Sequence, residues 1–186
     1  MLSDRRRMVG LALLALAAAP GVWPSGSRAA DKPATFRTAT WEELVPKNWD
    51  PMKGFRGRNP GLIREGGANE LAMMREMREL WDNAPTRGDL DGANIRLPGY
   101  VVPLEQSRGE VKEFLLVPYF GACIHSPPPP ANQIVHVVLS KPQTLRTMEA
   151  VWARGTLRTK RQDSQWGTSG YGLDGFDVEP YKPEAR

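Results

Sequence analysis

The sequence predicts a mainly β protein with one N-terminal helix, built as an OB-like five-stranded barrel. Three observations carry the prediction. Five short extended segments follow one another from Ala93 onward, separated by turn residues. Pro98-Gly99 interrupts the first of them, as the coiled first strand of a small barrel requires. A short helix is expected between the third and fourth of them, which is the element order of an OB-like barrel, and one longer stretch of helical period, Asn69 to Asn83, precedes them all. An open antiparallel sheet packed on that helix is the alternative with the same element order.

Residues 1–29 have the form of an export signal. Arg5-Arg6-Arg7 precede a short apolar run from Met8 to Pro20, and Ser27-Arg28-Ala29 fits a small-x-small cleavage site. The run is shorter than the roughly 20 residues a membrane span needs, so a cleaved signal is expected, with no stable membrane span after cleavage. The arginine run leaves the Sec and Tat routes both open. Residues 1–29 hold four arginines and one aspartate, so 21 basic and 20 acidic residues remain. A nucleic-acid footprint needs a basic face, and that balance does not require one, so no nucleic-acid partner is expected.

Residues 30–92 read as an N-terminal extension with a loop and a helix, and 93–182 as the β-rich domain. Trp41 to Pro46 forms one helical turn, with Thr40 and Glu43 spaced as a capping box. Asn48 to Pro60 is an ordered loop anchored by Trp49 and Phe55. Asn69 to Asn83 is the helix. Leu71, Met74, Met77, Arg78 and Trp81 fall on one stripe, and its methionines are expected to fill the core. The strands are Ile95–Leu104, Val111–Val117, Gln133–Leu139, Glu149–Thr159 and Gly170–Tyr181, with a short helix expected in Lys141–Met148. In the fourth strand Val151, Ala153, Gly155 and Leu157 share one face. Ala150, Trp152, Arg154, Thr156 and Arg158 share the other.

The candidate site lies between the second and third strands. The only cysteine, Cys123, and both histidines, His125 and His136, fall within fourteen residues. On extended backbone Cys123 and His125 would share a face about 6.5–7 Å apart. Thiolate and imidazole are ligands for zinc or Cu⁺, so Cys123, His125 and His136 are the candidate metal ligands and zinc the candidate cofactor. A nucleophilic thiol is a second reading, with His125 as base and the Gly121 and Ala122 amides as oxyanion donors. A third is structural: a buried cysteine and a core histidine at His136. One cysteine cannot form an intramolecular disulfide. Tyr119, Phe120, the stiff run Pro127, Pro128, Pro129 and Pro130, and Asn132 and Gln133 are the candidate partner-binding residues. Asn132 and Gln133 are also placed to satisfy carbonyls that the prolines leave unpaired.

Three segments carry a family resemblance: Trp41 to Pro46, Arg96 to Glu105, and Phe114 to His125 continuing through Gln133. Ser169 to Leu173 resembles its closing strand. They resemble DUF3299, a family of exported bacterial proteins of unknown function. The resemblance implies a periplasmic protein that accompanies ABC-transporter components in metal-uptake-like settings. The combined expectation is a non-enzymatic binding or accessory protein of an envelope ABC-type transport system, handling a transition metal such as zinc. The alternatives are a thiol-dependent enzyme or redox factor using Cys123, and a purely structural interaction adaptor.

Overall fold

The computed structural model describes residues 35–53, 55–56, 67–107, 109–124 and 128–182. The expected signal segment, His125 and Pro127 lie outside the described residues. The chain is mostly β. Among the described residues, strands β1 (Arg37–Thr38), β2 (Asn94–Pro103), β3 (Gln106–Ser107), β4 (Glu110–Val117), β5 (Val135–Thr144), β6 (Ala150–Ser164) and β7 (Gly167–Pro180) accompany one α-helix, α1 (Ala68–Asp82). None of the helices among the described residues is long and apolar enough to cross a membrane.

Five strands close on themselves in the order β2-β6-β7-β5-β4, with β4 pairing back onto β2. The β5–β7 pair is parallel and the other barrel pairs are antiparallel. This is the expected OB-like barrel, and its closure removes the open-sheet alternative. Closure depends on β2 serving two neighbours at once. Tyr100 is opposite both Val117 of β4 and Ala150 of β6. Gly99 allows the crossing: a Cβ there would lie 2.8 Å from Leu116 Cγ and 2.8 Å from the Val117 carbonyl oxygen.

The strand alternation predicted for Glu149–Thr159 is the one observed. Val151, Ala153 and Leu157 enter the barrel, while Trp152, Arg154, Thr156 and Arg158 face outward. The outward arginines are partnered. Arg154 grips Asp177 and Glu179, and Arg158 reaches Asp174 at 2.8 Å. Phe114, Leu116, Val135, Val137, Leu139, Tyr171 and Leu173 complete the interior. Gly155 sits at a register shift in β6, where a Cβ would lie 2.4 Å from the Asp174 carbonyl oxygen. Because that neighbour is backbone, Gly155→Ala is expected to destabilise the fold by about 1–3 kcal/mol. Urea unfolding checks this, and an unchanged midpoint would contradict the close approach.

Two expectations need correction. No helix occupies Lys141–Met148. Instead β5 runs on to Thr144, because Gln143 and Thr144 keep pairing with Val111 and Glu110. Pro142 is accommodated where the β4–β5 register shifts between Val111 and Glu113. The helix α1 forms within one residue of its predicted span, yet none of its residues is buried. Leu71 and Met74 are each 50% exposed, so these side chains do not fill the core. The apolar stripe lies on the outside of the barrel near β7.

The chain before the barrel supplies core of its own. Trp41, Leu44 and Leu90 join the barrel interior cluster. Trp41 Nε1 donates to the Pro98 carbonyl at 2.7 Å. The Tyr171 hydroxyl donates to the Leu44 carbonyl at 2.7 Å and accepts the Arg87 amide at 2.6 Å. The capping box is half made, with the Thr40 amide donating to Glu43 Oε1 at 3.2 Å.

Candidate functional site

Strand parity decides where the central motif lies. In β4, Phe114 and Leu116 point into the barrel, so Leu115 and Val117 point out. These outward side chains are not solvated. With Val102, Ala122, Cys123 and Ile134 they form a second apolar cluster, against which Tyr100, Ile124, Met148 and Trp166 pack. The loop after β4 therefore folds back over the outer barrel face.

The bend that returns it is built from two residues in left-handed backbone, Gly121 (φ 85°) and Cys123 (φ 67°). For a cysteine this conformation is uncommon and is sustained by burial of its side chain. Cys123 is 9% exposed. Burial pushes its thiol up to about 11, and the nearby Arg78 charge opposes only part of that rise. The Gly121 amide donates to Met148 Sδ at 3.2 Å, and the Ala122 amide donates to the Tyr119 carbonyl at 3.4 Å. Both amides considered as oxyanion donors thus have partners already.

His136 alternates with the inward Val135 and Val137, so it faces outward, opposite Leu115. It is nevertheless 3% exposed. Its Nε2 lies 3.5 Å from Glu113 Oε2 and has no hydrogen-bond partner among the described residues. Cys123 and His136 thus flank the same outer row of β4, with Glu113 at its other end. Among the described residues no group of three or more His, Cys, Asp or Glu side chains is placed to hold a metal ion.

The other candidates separate into a displayed pair and an inward-packed run. Phe120 is 66% exposed and Tyr119 45%. Phe120 stands edge-on to Tyr100, with centroids 5.8 Å apart. Beside this lip is a cleft of about 220 Å³ lined by Trp41, Pro98, Tyr100, Pro118 and Tyr181, without a charged side chain. Pro129 is buried and Pro128 and Pro130 are half-buried. Asn132 is fully buried, with Nδ2 donating to the Pro85 carbonyl at 3.0 Å. Gln133 Nε2 donates to the Trp41 carbonyl at 2.8 Å. These two amides tie the loop to the chain that precedes the barrel.

Two residues near the motif were not marked as site residues by their sequence. Trp166 occupies the two-residue turn between β6 and β7, and Arg78 lies on α1. The available signal was Arg78 itself, a charge inside an otherwise apolar helical stripe.

The family model described as a protein of unknown function (DUF3299) matches residues 41–180. A crystal structure of a DUF3299 family protein from Pseudomonas aeruginosa PAO1 is 39% identical, with a TM-score of 0.65, covering 82% of this chain and 100% of that one. No curated protein matches the chain. With the family model spanning the extension, the barrel and the central motif alike, the chain belongs to the DUF3299 family.

Proposed function

We propose that the protein is a non-enzymatic binding and accessory protein of the cell envelope, docking a partner through Tyr119 and Phe120. The observation that carries this reading is the contrast within one motif. The thiol is buried and protonated, whereas the two aromatic side chains three and four residues before it are held out in solvent. Large exposed rings on a fixed backbone suit protein contacts, because they bury much area at little entropic cost. Gly121 and the Met148 sulfur hold the base of the lip, so a partner meets a preformed surface. The sequence-level expectation of export makes a periplasmic partner the natural one, with components of an ABC-type transport system as the class to examine first.

A photocrosslinking phenylalanine analogue at position 120, in cells of the native host, tests the reading. A discrete adduct is expected from position 120 and not from Phe176, an equally exposed ring elsewhere. The same adducts from both positions, or none from 120, would overturn it.

A zinc-handling role is a second reading. Its supporting observation is that His136, with an unpartnered Nε2 among the described residues, faces the same outer row of β4 as Cys123. Zinc drawn to Cys123 must displace the thiol proton.

A further inference from the structure

The outer face of the barrel carries an open depression of about 540 Å³, lined in part by Phe36, Lys112, Val138, Ser140, Asp174 and Phe176. Its floor is one row of opposed residues: Asn94 faces Thr156, Thr156 faces Asp174, and Asp174 faces Val138. The polar members of that row are already paired. The Thr156 hydroxyl donates to Asn94 Oδ1 at 2.9 Å, and Arg158 Nε donates to Asp174 Oδ2 at 2.8 Å.

Two strand irregularities supply the rest of the lining. The β4–β5 register shifts between Val111 and Glu113, which leaves Lys112 with no opposite residue on β5. On β7, Asp177 is opposite Arg154 and Gly175 is opposite Gly155, which leaves Phe176 as the extra residue. Such irregularities re-aim side chains, and both of these side chains line the same depression. Phe176 is 65% exposed and stands beside Phe36, with ring centroids 5.8 Å apart. Val138 is exposed too, although its neighbours Val137 and Leu139 fill the barrel interior. Lys112 is exposed and has no ion-pair partner among the described residues. Glu113, the carboxylate next to it, lies against His136 and outside the lining.

The depression thus joins an apolar wall to one uncompensated positive charge, which suits an anion with an apolar body. Length narrows the class. Lys112 is on β4 and Phe176 on β7, with β5 between them, so about 10 Å, two strand spacings, separates the charged strand from the ring-bearing one. An unbranched acyl chain spans that distance, and acetate does not.

We propose that this depression binds a medium-chain fatty-acid anion, its carboxylate against the Lys112 ammonium and the Ser140 hydroxyl, and its chain over Val138 toward Phe36 and Phe176. The site is independent of the Tyr119–Phe120 lip.

The test titrates octanoate into ¹⁵N-labelled protein and follows the backbone amide resonances of Ser140, Gly175 and Phe176. Saturable movement is expected with octanoate, and none with acetate or octylammonium at the same concentration. Lys112→Gln is expected to weaken octanoate about fivefold, the upper end for a solvent-exposed ion pair, with Lys112→Arg keeping the affinity. Phe176→Ala is expected to weaken it about tenfold through lost apolar contact. Both side chains are exposed, and an otherwise unchanged spectrum verifies that each variant is folded. No movement with octanoate at about 10 mM, beyond millimolar affinity, would overturn the proposal. So would equal movement with acetate or octylammonium, or undiminished binding of octanoate by Lys112→Gln.

Discussion

Tyr171→Phe is expected to destabilise the protein by about 2–4 kcal/mol, although it removes a single oxygen. The ring is fully buried in the barrel, and phenylalanine keeps its volume, so no cavity opens. The loss falls on two backbone groups of the chain before the barrel. The Leu44 carbonyl loses its donor at 2.7 Å, and the Arg87 amide loses its acceptor at 2.6 Å. The buried Leu44 carbonyl left without its donor costs about 1–3 kcal/mol, and the part-buried Arg87 amide, which water can partly serve, about 0.5–1.5 kcal/mol. Urea unfolding should show a lower midpoint with an unchanged slope. A cost below about 0.5 kcal/mol, the usual limit for a surface change, would mean that the chain before the barrel does not depend on this hydroxyl. The same hydroxyl explains how residues far apart in sequence enter one core. It stitches the chain around Leu44 and the chain at Arg87 to β7, while Gln133 and Asn132 hold Trp41 and Pro85 from the motif side.

The barrel was legible because its strands obey a period of two wherever one face is wet. Ala150 to Arg158 shows this cleanly. Phe114-Leu115-Leu116-Val117 broke that period, and the break also had meaning. A run apolar on both faces is a strand covered on both sides, here by the barrel interior and by the returning motif loop. What could not be read was tertiary. Lys141 to Met148 has helix formers, but ladder pairing with Val111 and Glu110 keeps its first half extended. The α1 period is real, yet Leu71 and Met74 remain half-exposed, because amphipathicity does not say how deeply a helix docks. The motif's fourteen-residue ligand cluster was evident in sequence. Its chemistry depended on burial, which no spacing reports: Cys123 in left-handed backbone under Ile124 and Trp166, and His136 turned outward yet covered. The exposed aromatic pair could be named from sequence, while the approach of Arg78 and Trp166 requires α1 and the β6–β7 turn to meet.

Cys123 is expected to react with iodoacetamide at pH 8 on the order of a hundredfold more slowly than an unperturbed thiol of pKa about 8.5. With the thiol raised to about 11, thiolate is a minute fraction at that pH, and its cover slows access further. The rate should climb about tenfold per pH unit until near 11, which separates a raised pKa from steric shielding alone. The same shift has a consequence for stability. A group whose folded pKa lies above its unfolded one favours folding below the unfolded pKa, and that contribution fades as pH rises through the folded value. Wild-type protein should therefore lose stability relative to Cys123→Ala between about pH 9 and 11. Rapid labelling at neutral pH would instead reveal an activated thiolate and return nucleophilic catalysis to consideration. Zinc bears on the same measurement from the other side. A metal that takes Cys123 must release its proton and protect it from alkylation, so protection without proton release places zinc elsewhere. Slow labelling with no effect of zinc leaves Cys123 as the buried peg of the loop. Tyr119 and Phe120 are then the most exposed described side chains of the motif.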